Sequence, residues 1–408
     1  MNQKALGEKL KRLREKSGLT QEEVEMSIGL PQKAFTHIEN GARKISTFEL
    51  AKMSELFRIP VSDFFSKEAQ EEDLLVTLHR IAPGLESDSK VHDQVVKCIQ
   101  IFREGVLLKD MLGLSHKRTL RTYSCPLPSD VQEAKKQGED VAREERKGLA
   151  LGDSPIHDIA EVLAFQGIWT VQNKLPHEMS GLFLHHPSLG TAIIVNASHV
   201  CTRRCFSYAH EYAHALFDAN RTIAISNLDN AGDLIEIRAN AFASAFLMPE
   251  QGIANLLRSM GKGEGGRVDL AIYDASTESA VVAKYRQTAT SQKIYPQGIA
   301  WIAHHFGVSY QAAVYRLQNL GYFKAKERDQ LLKEESKGRD YLRVLFLQDH
   351  ETIEQASQNR ELKAQIAYLV IEAFQRNEIS RGRLLDLSKL LQLPGKELLQ
   401  LAEAGKLA

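Results

Sequence analysis

The segment His210-Glu211-Tyr212-Ala213-His214 constrains this chain more than any other feature. His210 and His214 stand four residues apart, so on a helix both imidazoles project from one face, one turn apart. Two imidazoles at that spacing can reach a single zinc ion at about 2.0–2.1 Å. Glu211 sits about 100° further around the helix, off the metal but beside a water that the metal activates. There it can take the water's proton and pass it to a leaving amine. The bland alternative is a pair of solvated or core histidines. The flanks weigh against it. Phe206, Ala209, Ala213, Leu216 and Phe217 are apolar or small, so the helix is largely buried. Two histidines and a glutamate buried without partners are costly, and a metal removes that cost.

A catalytic zinc takes three protein ligands and keeps the fourth position open. The downstream candidates for the third ligand are Asp218, Asp229, Asp233 and Glu236. Glu236 opens an otherwise apolar helix that ends at Leu247-Met248-Pro249, and a carboxylate there calls for a partner. Asp233 is the second choice; its ordinary role would be an N-cap three residues ahead of Glu236. Tyr208 and Tyr212 flank the motif and suit packing better than oxyanion stabilisation. His185, His186 and His199 read as surface groups, with a place in a substrate cleft as the sharper alternative.

Segments 203–214 and 236–243, with Leu247-Met248-Pro249, resemble the ImmA/IrrE metallopeptidase family. So do Pro155-Ile156, Gly167-Ile168, Ser180-Gly181 and a strand ending in Asn196. The resemblance covers roughly residues 130–250 and rests on several separate motifs in order. It implies an HExxH-type zinc endopeptidase with one ion per chain. His210, His214 and Glu236 would be the ligands and Glu211 the catalytic base. Members of that family cleave helix-turn-helix repressors and so relieve repression of stress or mobile-element genes. Cys205 departs from the apolar residue expected there. With Cys201 it forms a C-x₃-C pair, read as two packed thiols, with a redox role as the sharper alternative.

The N-terminal residues carry a different pattern. Leu6, Leu10 and Leu13 recur at helical spacing. Thr20 with Glu23 is a capping box, and Ser46 with Glu49 repeats it. Gly29 ends the second helix, Pro31 starts a third over about 31–39, and Gly41 terminates that. Residues 6–65 are similar to XRE/Cro-type helix-turn-helix domains. That resemblance places the third helix in the major groove, with Gln32, Lys33 and Thr36 toward base edges. Gln21, Asn40, Arg43 and Lys44 would hold phosphates. It also implies an operator DNA partner and binding as a homodimer. The competing reading is a helix-turn-helix turned to protein interaction. Charge does not separate the two, because residues 1–66 hold 11 basic against 9 acidic residues, a net of +2.

The whole 408-residue chain has a formal net charge of +0, so no global field draws it to nucleic acid or membrane. No apolar run reaches the roughly 18–20 residues of a membrane span. Four cysteines in this length do not make a disulfide framework, and the expected compartment is the cytoplasm. The reading is thus a multidomain, mainly α chain. A five-helix DNA-binding domain (1–66) precedes a helical linker or dimerisation segment (67–125). An α+β zincin-like metallopeptidase domain with a small sheet (126–295) follows, with strands at 167–171 and 191–195. A helical C-terminal region (296–408) reads as a structural or substrate-docking bundle, with a second DNA reader as the alternative, and His304-His305 within it lacks a third ligand. The expected partner is an XRE-type repressor, separate or the chain's own N-terminal module. The alternative is a non-proteolytic regulator or anti-repressor in which the peptidase fold senses or binds.

Overall fold

A computed structural model describes residues 3–16, 19–57, 89–114, 120–186, 189–218, 223–227, 232–262, 267–274, 279–286, 292–345 and 359–404. The chain divides into two compact units, residues 1–75 and 76–408. Among the described residues are 17 helices, a four-stranded sheet and a two-stranded sheet, so the chain is mainly α. No described helix is long and apolar enough to cross a membrane.

The first unit contains α1 (Gln3–Lys16), α2 (Gln21–Ile28), α3 (Ala34–Glu39) and α4 (Thr47–Phe57). Leu10, Val24, Ile28, Phe35, Ile38, Leu50 and Met53 form its core. The Thr20 hydroxyl accepts from the Glu23 amide at 3.2 Å, and the Glu23 carboxylate accepts from the Thr20 amide at 2.7 Å, closing the capping box. Gly29, at φ 75°, ends α2 in the left-handed region that glycine enters without strain. The helix α3 begins later than residue 31, because Gln32 and Lys33 form a turn and Lys33 adopts φ 66°. No side chain of its own N-cap starts α3. The buried Glu25 of α2 does so instead, accepting from the amides of Lys33 at 3.1 Å and Phe35 at 2.8 Å. Residues 58–88, which hold the end of the expected five-helix domain and the start of the expected linker or dimerisation segment, lie outside the described residues.

The second unit starts with α5 (Ser89–Met111), α6 (Val131–Gly148) and α7 (Ile159–Phe165). Its sheet holds β1 (Trp169–Asn173), β2 (Met179–His186), β3 (Gly190–Asn196) and β4 (Ile223–Asn227), in the order β1-β3-β2-β4. β1 runs parallel to β3, whereas β2 is antiparallel to both β3 and β4. The strands read from sequence correspond to β1 and β3. β2 has a weak local signal, broken by Gly181, and its pairing on both sides makes it a strand.

Between β3 and β4 runs α8 (Cys201–Phe217), which packs on β2 and β3. Then come α9 (Leu234–Leu247) and α10 (Glu250–Ser259). The helices α6 and α9 lie in close contact because Gly138 has no side chain. A Cβ there would meet the Arg238 carbonyl oxygen at 2.4 Å. Val141, Tyr212, Phe242, Phe246 and Ile299 share one core with the inner face of the sheet.

A two-stranded antiparallel sheet of β5 (Arg267–Asp274) and β6 (Ser279–Arg286) follows α10. The remaining helices are α11 (Pro296–Phe306), α12 (Tyr310–Asn319), α13 (Ala325–Lys333), α14 (Glu335–Val344), α15 (Arg360–Gln375), α16 (Arg381–Leu390) and α17 (Gly395–Ala404). Helix α5 packs against β1 and α15. Phe102 stacks on Trp169 at 6.3 Å between ring centres, and Lys109 sits over the same indole at 4.1 Å. Arg383 of α16 grips Glu104 of α5 at 2.6 and 2.7 Å. The segment 89–114 is therefore part of the second unit's packing.

Candidate metal centre

His210 and His214 project from one face of α8, and α9 brings Glu236 against them. Nε2 of His210 lies 3.2 Å from Nε2 of His214 and 3.0 Å from Oε2 of Glu236. Nε2 of His214 lies 3.5 Å from Oε1 of Glu236. All three residues are buried. Donors of a tetrahedral shell with bonds of about 2.0–2.1 Å stand about 3.3 Å apart, so these separations fit one zinc ion. Among the described residues this is the one group of three such donors close enough to share a metal.

The outer ring nitrogens are held by other side chains. Nδ1 of His210 pairs with Oδ1 of Asn240 at 2.9 Å, and Nδ1 of His214 with Oδ2 of Asp218 at 3.0 Å. Each bond sets the ring plane and leaves Nε2 facing the common point. Asp218 is itself fixed by Arg238, whose Nη2 donates to Oδ1 at 3.0 Å. The buried guanidinium lies 4.3 Å from the centre of the Phe217 ring. Glu236 and Asn240 are four residues apart on α9, so one helix face serves both nitrogens of His210.

Burial opposes charge on His214, but hydrogen bonds to Asp218 and Glu236 and the nearby charge of Glu211 outweigh it. Its pKa is raised to about 10. Burial likewise opposes ionisation of Glu236, and the two histidines overcome it, lowering its pKa to about 2. The donor set thus holds charge at a buried point.

Glu211 is fully buried and faces β2, where Gly181 makes room for it. A Cβ on residue 181 would meet Oε1 of Glu211 at 2.9 Å and its Cγ at 3.1 Å. Asp218, weighed as a ligand from the sequence, orients His214 instead. Asp233 is the N-cap residue of α9 without a side-chain cap bond, and Asp229 lies outside the described residues. Tyr208 and Tyr212 pack in the core, and the Tyr212 hydroxyl donates to the buried Glu145 at 2.6 Å. Of the histidines read as surface groups, His186 and His199 are buried and His185 is half-buried with Nδ1 paired to the Thr191 hydroxyl at 2.9 Å, and none of them joins the donor cluster. Cys201 and Cys205 are half-buried and form no disulfide. Asn240, Arg238 and Gly181 were not legible as site residues. A lone arginine in an apolar helix was the available signal for Arg238.

In the first unit, Gln32, Lys33, Asn40 and Lys44 are exposed. Gln21 and Thr36 are half-buried and bonded to each other at 2.8 Å. Gln21 also donates to Glu39 at 2.5 Å, and Arg14 holds that carboxylate at 2.7 Å. Arg43 pairs with Glu49 at 2.8 Å. The exposed groups stand at the turn before α3 and beyond its end, whereas Gln21, Thr36 and Arg43 are tied into the unit.

Residues 165–268 match a peptidase-family model described as "IrrE N-terminal-like domain". Residues 10–64 match a model described as "Helix-turn-helix". No curated protein matches the chain. The first match spans His210, Glu211, His214 and Glu236, and the second spans α2 and α3. The chain therefore joins a helix-turn-helix domain to an IrrE-like domain of a metallopeptidase family.

Proposed function

We propose that residues 126–295 form a zinc-dependent endopeptidase that hydrolyses a peptide bond in an XRE-type repressor, separate or the chain's own N-terminal module. Residues 1–66 would bind operator DNA as a homodimer, and cleavage would relieve repression in a stress or mobile-element response. Residues 296–408 would be a docking bundle for the substrate. The observation that carries this reading is the convergence of His210, His214 and Glu236 to donor separations of 3.0–3.5 Å, with Glu211 on the same helix. A purely structural zinc site has no use for that glutamate.

His210, His214 and Glu236 would hold the ion. Zinc, when bound, supplies Lewis acidity toward a peptide carbonyl and lowers the pKa of an attacking water. Asn240 and Asp218 keep the two imidazoles turned toward the ion. Glu211 would take the proton of the attacking water and deliver it to the departing amine. In the DNA-binding domain, Gln32 and Lys33 are the exposed groups offered to base edges, with Thr36 behind them. Asn40 and Lys44 would hold phosphates beside Gln21 and Arg43.

The test is incubation of the zinc-loaded and the zinc-stripped chain, alone and with candidate repressors, beside Glu211→Ala. Zinc-dependent fragments that the variant fails to make support the peptidase. A variant that regulates its promoter as the natural chain does, with no fragments from either, supports the sensor or anti-repressor reading instead.

A further inference from the structure

A cleft of about 530 Å³ lies away from the metal ligands, where α6, the start of α10 and α12 meet. Arg143, Arg146 and Lys147 of α6 and Arg316 of α12 line it. Arg146 and Arg316 are each only 4% exposed, which is rare for a guanidinium. Arg146 donates to the backbone carbonyls of Gly152, Phe246 and Ser154. Among the described residues no carboxylate lies within ion-pairing distance of it. Its pKa is lowered to about 10, chiefly by burial. Arg316 donates through Nε to the Met248 carbonyl at 3.2 Å and through Nη1 to Glu139 at 2.6 Å. Its Nη2 makes no hydrogen bond among the described residues. A guanidinium carries five N–H donors, so both arginines keep donors in reserve.

A second feature meets them in the same cleft. The ten-residue helix α10 starts at Pro249 with no side-chain cap, and its first backbone bond is donated by Ile253. The amides of Glu250, Gln251 and Gly252 precede that bond, at the electropositive end of the helix. The lining has four cations against three carboxylates, Glu139, Asp153 and Glu250, and Arg143 at the rim also pairs with Asp140 at 3.0 Å. Glu139 is already spent on Arg316.

We propose that this cleft binds a small organic anion through a phosphate or carboxylate group. The buried charge of Arg146 and the open Nη2 of Arg316 would receive the anionic head, with Arg143 and Lys147 at the rim. Asp153 and Glu250 would accept hydrogen bonds from hydroxyl or ammonium groups on the ligand's body. The volume suits a molecule of nucleotide size better than a bare ion. The site lies at the far end of the helix that carries Glu236, because Phe246 and Met248 offer its last carbonyls to these arginines.

The experiment is calorimetric titration of the full chain with adenosine monophosphate, with succinate and with uncharged adenosine. The double variant Arg143→Glu, Lys147→Glu changes two exposed side chains, and a thermal melt checks that it folds. One anion is expected to bind saturably at one site per chain, and the double variant to weaken it by about tenfold or more. Preference between adenosine monophosphate and succinate identifies the head group. Absence of binding by both anions at millimolar concentration overturns the proposal. So does equal binding by the double variant, or adenosine binding as tightly as its monophosphate.

Discussion

Nδ1 of His214 lies 3.0 Å from Oδ2 of Asp218, and the other oxygen of that carboxylate accepts from Arg238. One acid thus ties the end of α8 to the middle of α9 and aims Nε2 of His214 at Glu236. Asp218→Ala is expected to lower zinc affinity by about 10–100-fold. It also leaves Arg238 buried without its partner, which costs about 3–5 kcal/mol. Asp218→Asn keeps one acceptor oxygen in place of two, so it can serve only one of the two neighbours and should restore part of the stability or part of the affinity, not both in full. Competition with a chromophoric chelator, beside a thermal melt, reads both. Wild-type affinity in Asp218→Ala would falsify the orienting role.

Glu211 sits outside the donor cluster, so its removal should separate binding from chemistry. Glu211→Gln is expected to keep zinc affinity close to that of the natural chain while lowering peptide cleavage by about 10²–10⁴-fold. The comparison uses single-turnover cleavage with zinc content measured on the same sample. Full activity in this variant removes Glu211 from the mechanism.

Zinc uptake should release a proton. Although burial disfavours it, the metal-free His214 is protonated up to about pH 10 because Asp218 and Glu236 hold it. A ligating imidazole must be neutral. At neutral pH the proton is therefore bound before zinc and lost after it. Apparent affinity should rise about tenfold per pH unit between neutrality and the raised pKa, then level off. Calorimetry in two buffers of different ionisation enthalpy counts the proton, and an unchanged heat in the two buffers would contradict the assignment.

Gly181→Ala tests the contact between β2 and Glu211. The added methyl group would come within 3.1 Å of both Glu211 Cγ and the Ile194 carbonyl oxygen. Overpacking of this kind costs about 1–3 kcal/mol. The informative result is a fall in cleavage rate at unchanged zinc occupancy, since the methyl group displaces Glu211 and not a ligand. Loss of zinc together with activity would assign the residue a general structural role.

Two variants in the first unit should behave oppositely. Glu25→Ala removes the buried cap of α3 and is expected to destabilise this unit by about 1–3 kcal/mol. Gln32→Ala with Lys33→Ala alters exposed groups and is expected to abolish operator binding while leaving the melt of the unit nearly unchanged. Operator binding that survives the double change would move the recognition surface away from the turn before α3.

Local patterns carry far in this chain. The capping boxes at Thr20 and Ser46 are the hydrogen-bonded pairs expected from their three-residue spacing. The i, i+4 spacing of His210 and His214 suffices to put both rings on one face of α8, and Glu236 was legible as a carboxylate opening an apolar helix. These features depend on the period of a helix, which a sequence displays directly. The start of α3 was placed too early because its cap, Glu25, comes from a neighbouring helix. β2 escaped for a similar reason, since its strand character comes from partners on both sides.

The sequence alone determined the residue types, their spacing along each helix and the division into a helix-turn-helix and a peptidase-like part. Only the tertiary structure decided which carboxylate meets the two histidines and which merely orients one of them. Glu236 lies 26 residues beyond His210, at 3.0 Å, whereas the nearer Asp218 turns to the outer nitrogen of His214. The reason is the packing of α9 against α8 and α6, allowed by the bare backbone of Gly138, which fixes the face that α9 presents. Helical spacing sets where side chains point from their own helix, and interhelical packing sets what they point at.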